Sequence, residues 1–202
     1  MRNGRGWSAE GAKMRRVLLG VGISLDGYIA RPDGAVDFLF MPKDYSMGPF
    51  FKRIDAAVMG RKSYEMGLKL GGGKLSSYGM KCYVFSKTLG SVAHEDFAIV
   101  SEPPRSFIEA LKKKKGKDIW LMGGGELTRA FLQDDLVDEL YLGVVPTLIG
   151  EGIPAFPNGF PQREFTLVEN KTYSMGLIAL RYKRRIGKKR KRQKTTQRRR
   201  VR

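Results

Sequence analysis

The stretch DIWLMGGGELTRAFLQDDLVDELYL, residues Asp118 to Leu142, decides how this chain is read. DIWLM reads as a buried strand, and beyond the glycines Leu127, Ala130 and Phe131 recur at helical spacing. VDELYLGVVPTLIG then reads as a longer strand. Strand, glycine turn, helix and strand form the grammar of an α/β sheet with crossover connections. The turn itself is Gly123, Gly124 and Gly125. Glycine is required where backbone N–H groups must reach an anion with no β-carbon in the way, or where φ must be positive. A phosphate at the helix N-terminus meets the first condition, and a tight, closely packed turn meets the second. The triplet alone does not choose between them.

Upstream, RRVLLGVGIS from Arg15 has the content of a buried strand and runs into the turn-rich SLDGYIARPDGAVDF. DAAVMG, KCYVFS and AIVSE are further short strands, the last closed by Pro103 and Pro104. SFIEALKKKKGKD places Phe107, Ile108 and Leu111 on one helical face, with lysines in the last turns and Gly116 as a stop. Downstream, a glycine and proline loop (GEGIPAFPNGFP) leads into EFTLVENKTYSMGLIALRYKRR, two strands joined near Ser174 to Gly176 as an antiparallel hairpin.

The chain has 202 residues, 42% of them apolar, enough for one sizeable domain with its own core. The net charge of +18 is unevenly spread. Residues 183–202 hold 13 Lys or Arg and no acid, and residues 1–15 carry a net +3, which leaves +2 for the rest. The expected organisation is therefore a disordered extension over 1–14, one domain over 15–184 and a basic tail over 185–202. Such a tail binds polyanions weakly and without sequence preference, or is a solvated appendage. No run approaches the roughly 20 apolar residues of a membrane span, and the N-terminus lacks the core of a secretory signal, so no membrane contact and a cytoplasmic location are expected. One cysteine, Cys82, and one histidine, His94, allow neither an internal disulfide nor a Cys/His zinc cluster. Cys82 lies in an apolar run and reads as a small core residue before it reads as a nucleophile.

Two other strand ends carry anion-friendly groups. MGRKSYE ends a strand at Gly60 and sets Arg61, Lys62 and Ser63 at a helix start, where a guanidinium fork and a hydroxyl can hold phosphate oxygens. VFSKT places Ser86 and Lys87 past another strand end. Three such ends suit an extended polyphosphate ligand across the carboxyl edge of a sheet.

Taken together, SLDGYIA, MGRKSYE, VFSKT and LMGGGELTRAFLQDDLVDELYLGVVPTLIGEGIPAF resemble the dihydrofolate reductase-like superfamily, and within it the reductase domain at the C-terminus of bacterial riboflavin-biosynthesis deaminase-reductases and its stand-alone relatives. The resemblance runs from about Arg15 to Arg184. It implies a three-layer α/β fold around a mixed, mostly parallel sheet with a C-terminal antiparallel hairpin, a homodimer, and NADPH as cofactor. It also implies roles: Gly60, Arg61, Ser63, Ser86 and Lys87 around the 2′-phosphate, and Met122, Gly123, Gly124, Gly125 and Glu126 around the diphosphate. The implied activity is hydride transfer to a C=N or C=O carbon of a small molecule. Dihydrofolate reduction, and a nucleic-acid-associated protein on an inactive reductase scaffold, stand as alternatives. Two acids follow the first strand, Asp26 and Asp37, and a carboxylate beside the substrate favours its protonation. The resemblance favours Asp37 for that part. Asp26 is expected to begin the loop beside the nicotinamide, and Phe38 to be either a stacking ring or core.

Overall fold

The apolar run Val17–Ile23 forms β1, the inner strand around which the sheet is built. In a computed structural model, described for residues 14–72 and 76–185, the chain continues through β2 (Tyr28–Ala30), α1 (Gly48–Phe51), β3 (Ile54–Gly60), α2 (Arg61–Leu70), β4 (Lys81–Phe85), β5 (Phe97–Val100) and α3 (Pro104–Lys113). It ends with β6 (Asp118–Leu121), α4 (Gly125–Gln133), β7 (Glu139–Val144), β8 (Ile153–Pro154), β9 (Phe165–Thr172), a 3₁₀ turn (Ser174–Gly176) and β10 (Ile178–Arg184).

Eight of these strands pair in the order β5-β4-β3-β6-β1-β7-β10-β9. The first six run parallel, whereas β10 is antiparallel to both β7 and β9. The sheet is therefore mixed and mostly parallel, closed by the C-terminal hairpin. Alternate residues of β1 feed opposite cores. Val17, Leu19 and Ile23 join Ile108, Leu111, Leu127 and Phe131 of α3 and α4 on one face, while Leu18 joins Phe50 of α1 and Tyr64 of α2 on the other. Helices on both faces make three layers, and burial on both faces is why the parallel strands read as continuous apolar runs.

Some local features differ from the sequence reading. Gly116 is no helix stop, since α3 ends at Lys113. A β-carbon there would lie 2.6 Å from Asp55 Oδ2 and 2.9 Å from Arg15 Cζ, so the glycine makes room for an ion pair. The GEGIPAF loop also contains β8, which pairs with β2 in a second, two-stranded sheet. Of the two places expected for Phe38, a stacking ring or core, the structure gives core: it is 7% exposed and packed in a cluster with Val145 and Leu177. The expected extension over residues 1–14 and basic tail over 185–202 fall almost wholly outside the described residues, as does the polyanion binding assigned to that tail.

Candidate active site

Because β4, β3, β6 and β1 are adjacent and parallel, their carboxyl ends share one edge of the sheet. Ser86 and Lys87 follow β4, Gly60 closes β3 and leads into Arg61 and Ser63 on α2, and Met122 to Glu126 join β6 to α4. The topology thus gathers three segments separated by up to about 65 residues of chain into one row.

The glycine turn has an internal reason as well as a chemical one. Gly123 and Gly124 have φ of 106° and 90°, which L side chains resist. A β-carbon on Gly124 would stand 2.8 Å from Ser63 Oγ, and one on Gly125 would stand 3.1 Å from Pro157 Cγ. What comes close to this backbone on its side-chain side is therefore the protein itself. The case for an anion rests on the other side, on the amides. Gly124 caps α4 with no side-chain bond, and among the described residues the N–H groups of Gly123 and Gly124 donate to no protein acceptor. Helix starts with glycine caps leave donors that a phosphate can take.

The two cations at the start of α2 are held by neighbouring acids. Arg61 Nη1 lies 2.9 Å from Glu65 Oε1 one turn along α2, and Lys62 Nζ lies 3.5 Å from Glu126 Oε1, which ties the start of α2 to the start of α4. Ser63 is the third residue of α2 and faces Gly124. The hydroxyl of Ser86 accepts the N–H groups of Thr88 and Leu89, so it shapes its own turn and keeps its proton to donate. Beside it, a cleft of about 470 Å³ opens between the ends of β4 and β5. Lys87, Ser101 and Glu102 line it together with the apolar Phe85, Val100, Pro103 and Pro104. Ser101 and Glu102 read in the sequence only as the end of the AIVSE strand, and SEPP directly after that apolar run is the signal that marks them.

The two acids of the first loop differ in role. Asp26 accepts the backbone N–H groups of Ile149 (3.1 Å) and Gly150 (2.8 Å), fastening the loop after β1 to the loop after β7. A bond from Ser24, helped by those amides, keeps its carboxyl below the usual range. Asp37 takes two bonds from Arg31, at 2.6 and 2.8 Å, and these hold its carboxyl low. It stands two residues before Leu39, whose side chain covers Gly22 near the carboxyl end of β1. Asp37 is thus an ionised group partly neutralised by Arg31, suited to electrostatic work and poorly suited to donating a proton at neutral pH. Cys82 is buried and its thiol is pushed up to about 11 by that burial, so it is inert at neutral pH.

Comparison with known proteins places this geometry. A protein of Bacillus subtilis (strain 168), YwjB, is 35% identical over 145 residues, covering 70% of this chain and 83% of its own length. A second protein of that strain, YyaP, is 31% identical over 180 residues, covering 84% and 95%. Both carry the description uncharacterized protein. The family model "RibD C-terminal domain" matches residues 81–179. The chain belongs to the RibD C-terminal domain family. The matched RibD segment contains Ser86, Lys87 and the Met122 to Glu126 turn, whereas Gly60 to Ser63 lie upstream of it. Among solved structures, a Shewanella sp. PV-4 protein assigned to riboflavin biosynthesis aligns with a TM-score of 0.74 at 27% identity, over 84% of this chain and 99% of that one. The Thermotoga maritima diaminohydroxyphosphoribosylaminopyrimidine deaminase/5-amino-6-(5-phosphoribosylamino)uracil reductase shares the RibD reductase fold, with a TM-score of 0.64 at 16% identity over 85% of this chain and 57% of its own. Among the described residues, no helix is long and apolar enough to cross a membrane.

Proposed function

We propose that this protein is an NADPH-dependent reductase of the riboflavin-biosynthesis type, delivering hydride to a C=N or C=O carbon of a small pyrimidine-bearing substrate. The observation that carries the reading is the row of groups on one sheet edge: Ser86 and Lys87, then Arg61 and Ser63, then the unsatisfied amides of Gly123 and Gly124. Its order suits a ligand with two separated phosphate groups, and the likeness to the Shewanella and Thermotoga proteins supplies the substrate class.

NADPH fits the residues present. The amides of the glycine turn and the first turn of α4 would take the diphosphate, with Glu126 releasing Lys62 to join them. Arg61 would turn from Glu65 to the 2′-phosphate, which Ser63, Ser86 and Lys87 also reach. Bound there, the cofactor supplies the hydride. The chain's own part is to orient and to bias charge. Asp26 clamps the loop after β1, and the Asp37 carboxylate favours positive charge on a substrate imine in proportion to how far Arg31 withdraws. A cytoplasmic homodimer belongs to the same reading, and light scattering at micromolar protein tests the dimer.

The test is NADPH oxidation followed with 5-amino-6-(5-phosphoribosylamino)uracil and, separately, with dihydrofolate. Turnover of the pyrimidine is the expected result. Turnover of dihydrofolate alone would move the protein to the other branch of the superfamily, and turnover of neither, with no NADPH binding, would remove the reductase reading.

A further inference from the structure

We infer that Glu102 is a specificity-determining residue that opposes Lys87 and tilts this site toward tolerating NADH; this rests on the cofactor reading above. The cleft between the ends of β4 and β5 differs in chemistry from the two phosphate-friendly turns beside it. At α2 and α4 the helix starts are capped by glycines and present backbone donors. At α3 the cap is Pro103 and the first residue is Pro104, so two of the N–H groups that a phosphate would use do not exist. Phe85, Val100 and the two prolines instead give apolar walls suited to a flat base.

The polar groups on those walls are two hydroxyls, one cation and one anion. Ser86 sits where β4 ends and donates its backbone N–H to Val100 at the end of β5, which ties the two strand ends together. Lys87 and Glu102 line the same cleft, and among the described residues neither takes part in an ion pair. Arg61 and Lys62 each have an acid partner outside the cleft. Glu102 is therefore the carboxylate left to interact with whatever Lys87 binds. A carboxylate accepts bonds from ribose hydroxyls and repels a 2′-phosphate, while a lysine does the reverse. A cleft holding both binds the two nucleotides with less discrimination than Lys87 and Arg61 alone would impose.

The experiment titrates the full chain with NADPH and with NADH at physiological ionic strength, reading nucleotide fluorescence, for the wild type, E102Q and K87A. Charge removal at an exposed site predicts that E102Q raises the NADPH to NADH affinity ratio by roughly three- to tenfold. K87A lowers the ratio. Thermal unfolding of both variants matches the wild type because both side chains are exposed. An E102Q ratio equal to that of the wild type, with both nucleotides still binding, overturns the assignment of Glu102 and leaves the reductase reading intact. Failure of the wild type to bind either nucleotide overturns both.

Discussion

The two edges of the parallel sheet are built to opposite rules. At the amino edge, where β1, β3, β6 and β7 begin, charges are consumed internally. Glu139, 1% exposed, accepts from Arg16, Arg53 and Arg181 and from the Tyr141 hydroxyl. Asp118 accepts from Arg16 and Arg53, Arg15 pairs with Asp55, and Lys112 pairs with Asp138. At the carboxyl edge the helices α2, α3 and α4 start from Gly60, Pro103 and Gly124, and none has a side-chain cap. Helix α4 shows the contrast within one element. The carbonyls of its last residues, Leu132 and Gln133, are taken by Arg163, and those of Asp134 and Asp135 just beyond its end by Arg105 and Arg184, while its first amides are left open. Side-chain caps stabilise helix starts by about 1 kcal/mol each, so omitting all three on one edge withholds stability where a ligand can supply it. One edge is for holding the fold and the other for binding.

If that division is right, damage to each edge should be read by a different measurement. The largest stability effect is expected at Glu139. Removing it by E139A takes from Arg16, Arg53 and Arg181 their shared buried acceptor, leaving them Asp118 and Glu169, and should cost about 2–3 kcal/mol in urea unfolding, with nucleotide affinity of the folded protein unchanged. A loss of affinity in step with stability would erase the distinction. G124A mixes the two edges: a β-carbon at φ of 90° and 2.8 Å from Ser63 Oγ should cost about 1–2 kcal/mol of strain and also displace the diphosphate amides. Unaltered NADPH binding in that variant would mean the turn is only structural. Asp118 gives a smaller, pH-dependent effect. Burial pushes its carboxyl up, but bonds from Arg16 and Arg53 outweigh this and leave it below the ordinary value. Its contribution is therefore full above the unfolded value of about 4 and is lost as pH falls through the lower folded value. In D118N the acid limb of the stability curve should be shallower than in the wild type; identical limbs would show that Asp118 does not couple to folding.

The fold was legible because most of its signals are local. β1, β3, β4 and β6 are apolar runs buried on both faces, and α3 and α4 carry their spacing openly. The C-terminal hairpin announced itself through its turn at Ser174 to Gly176. What escaped were contacts between distant segments. β2 meets β8 across more than 120 residues through a close approach of Gly152 to the Ala30 carbonyl, and Arg16 meets Glu139 across 123. The site divides along the same line. Gly60, Arg61, Ser86, Lys87 and the glycine turn could be picked out because each follows a strand, and the strand order then brings them together. The partners that hold them, Glu65 for Arg61 and Glu126 for Lys62, depend on side-chain placement that no motif carries. The Glu102 cleft depends on β4 and β5 being neighbours. The glycines taught the sharpest lesson: Gly124 is demanded by Ser63 and by its own φ, so glycine content alone could not have distinguished a phosphate turn from a packed one.

The most direct test of the open edge is a calorimetric titration of NADPH into the wild type and R61A, with unfolding midpoints recorded for both. The account predicts saturable binding by the wild type, roughly tenfold weaker binding by R61A, a difference of about 1.4 kcal/mol, and coincident midpoints, because Arg61 has only an exposed partner to lose. Wild-type protein that shows no saturable binding, or an R61A variant that binds as tightly as its parent, would contradict it.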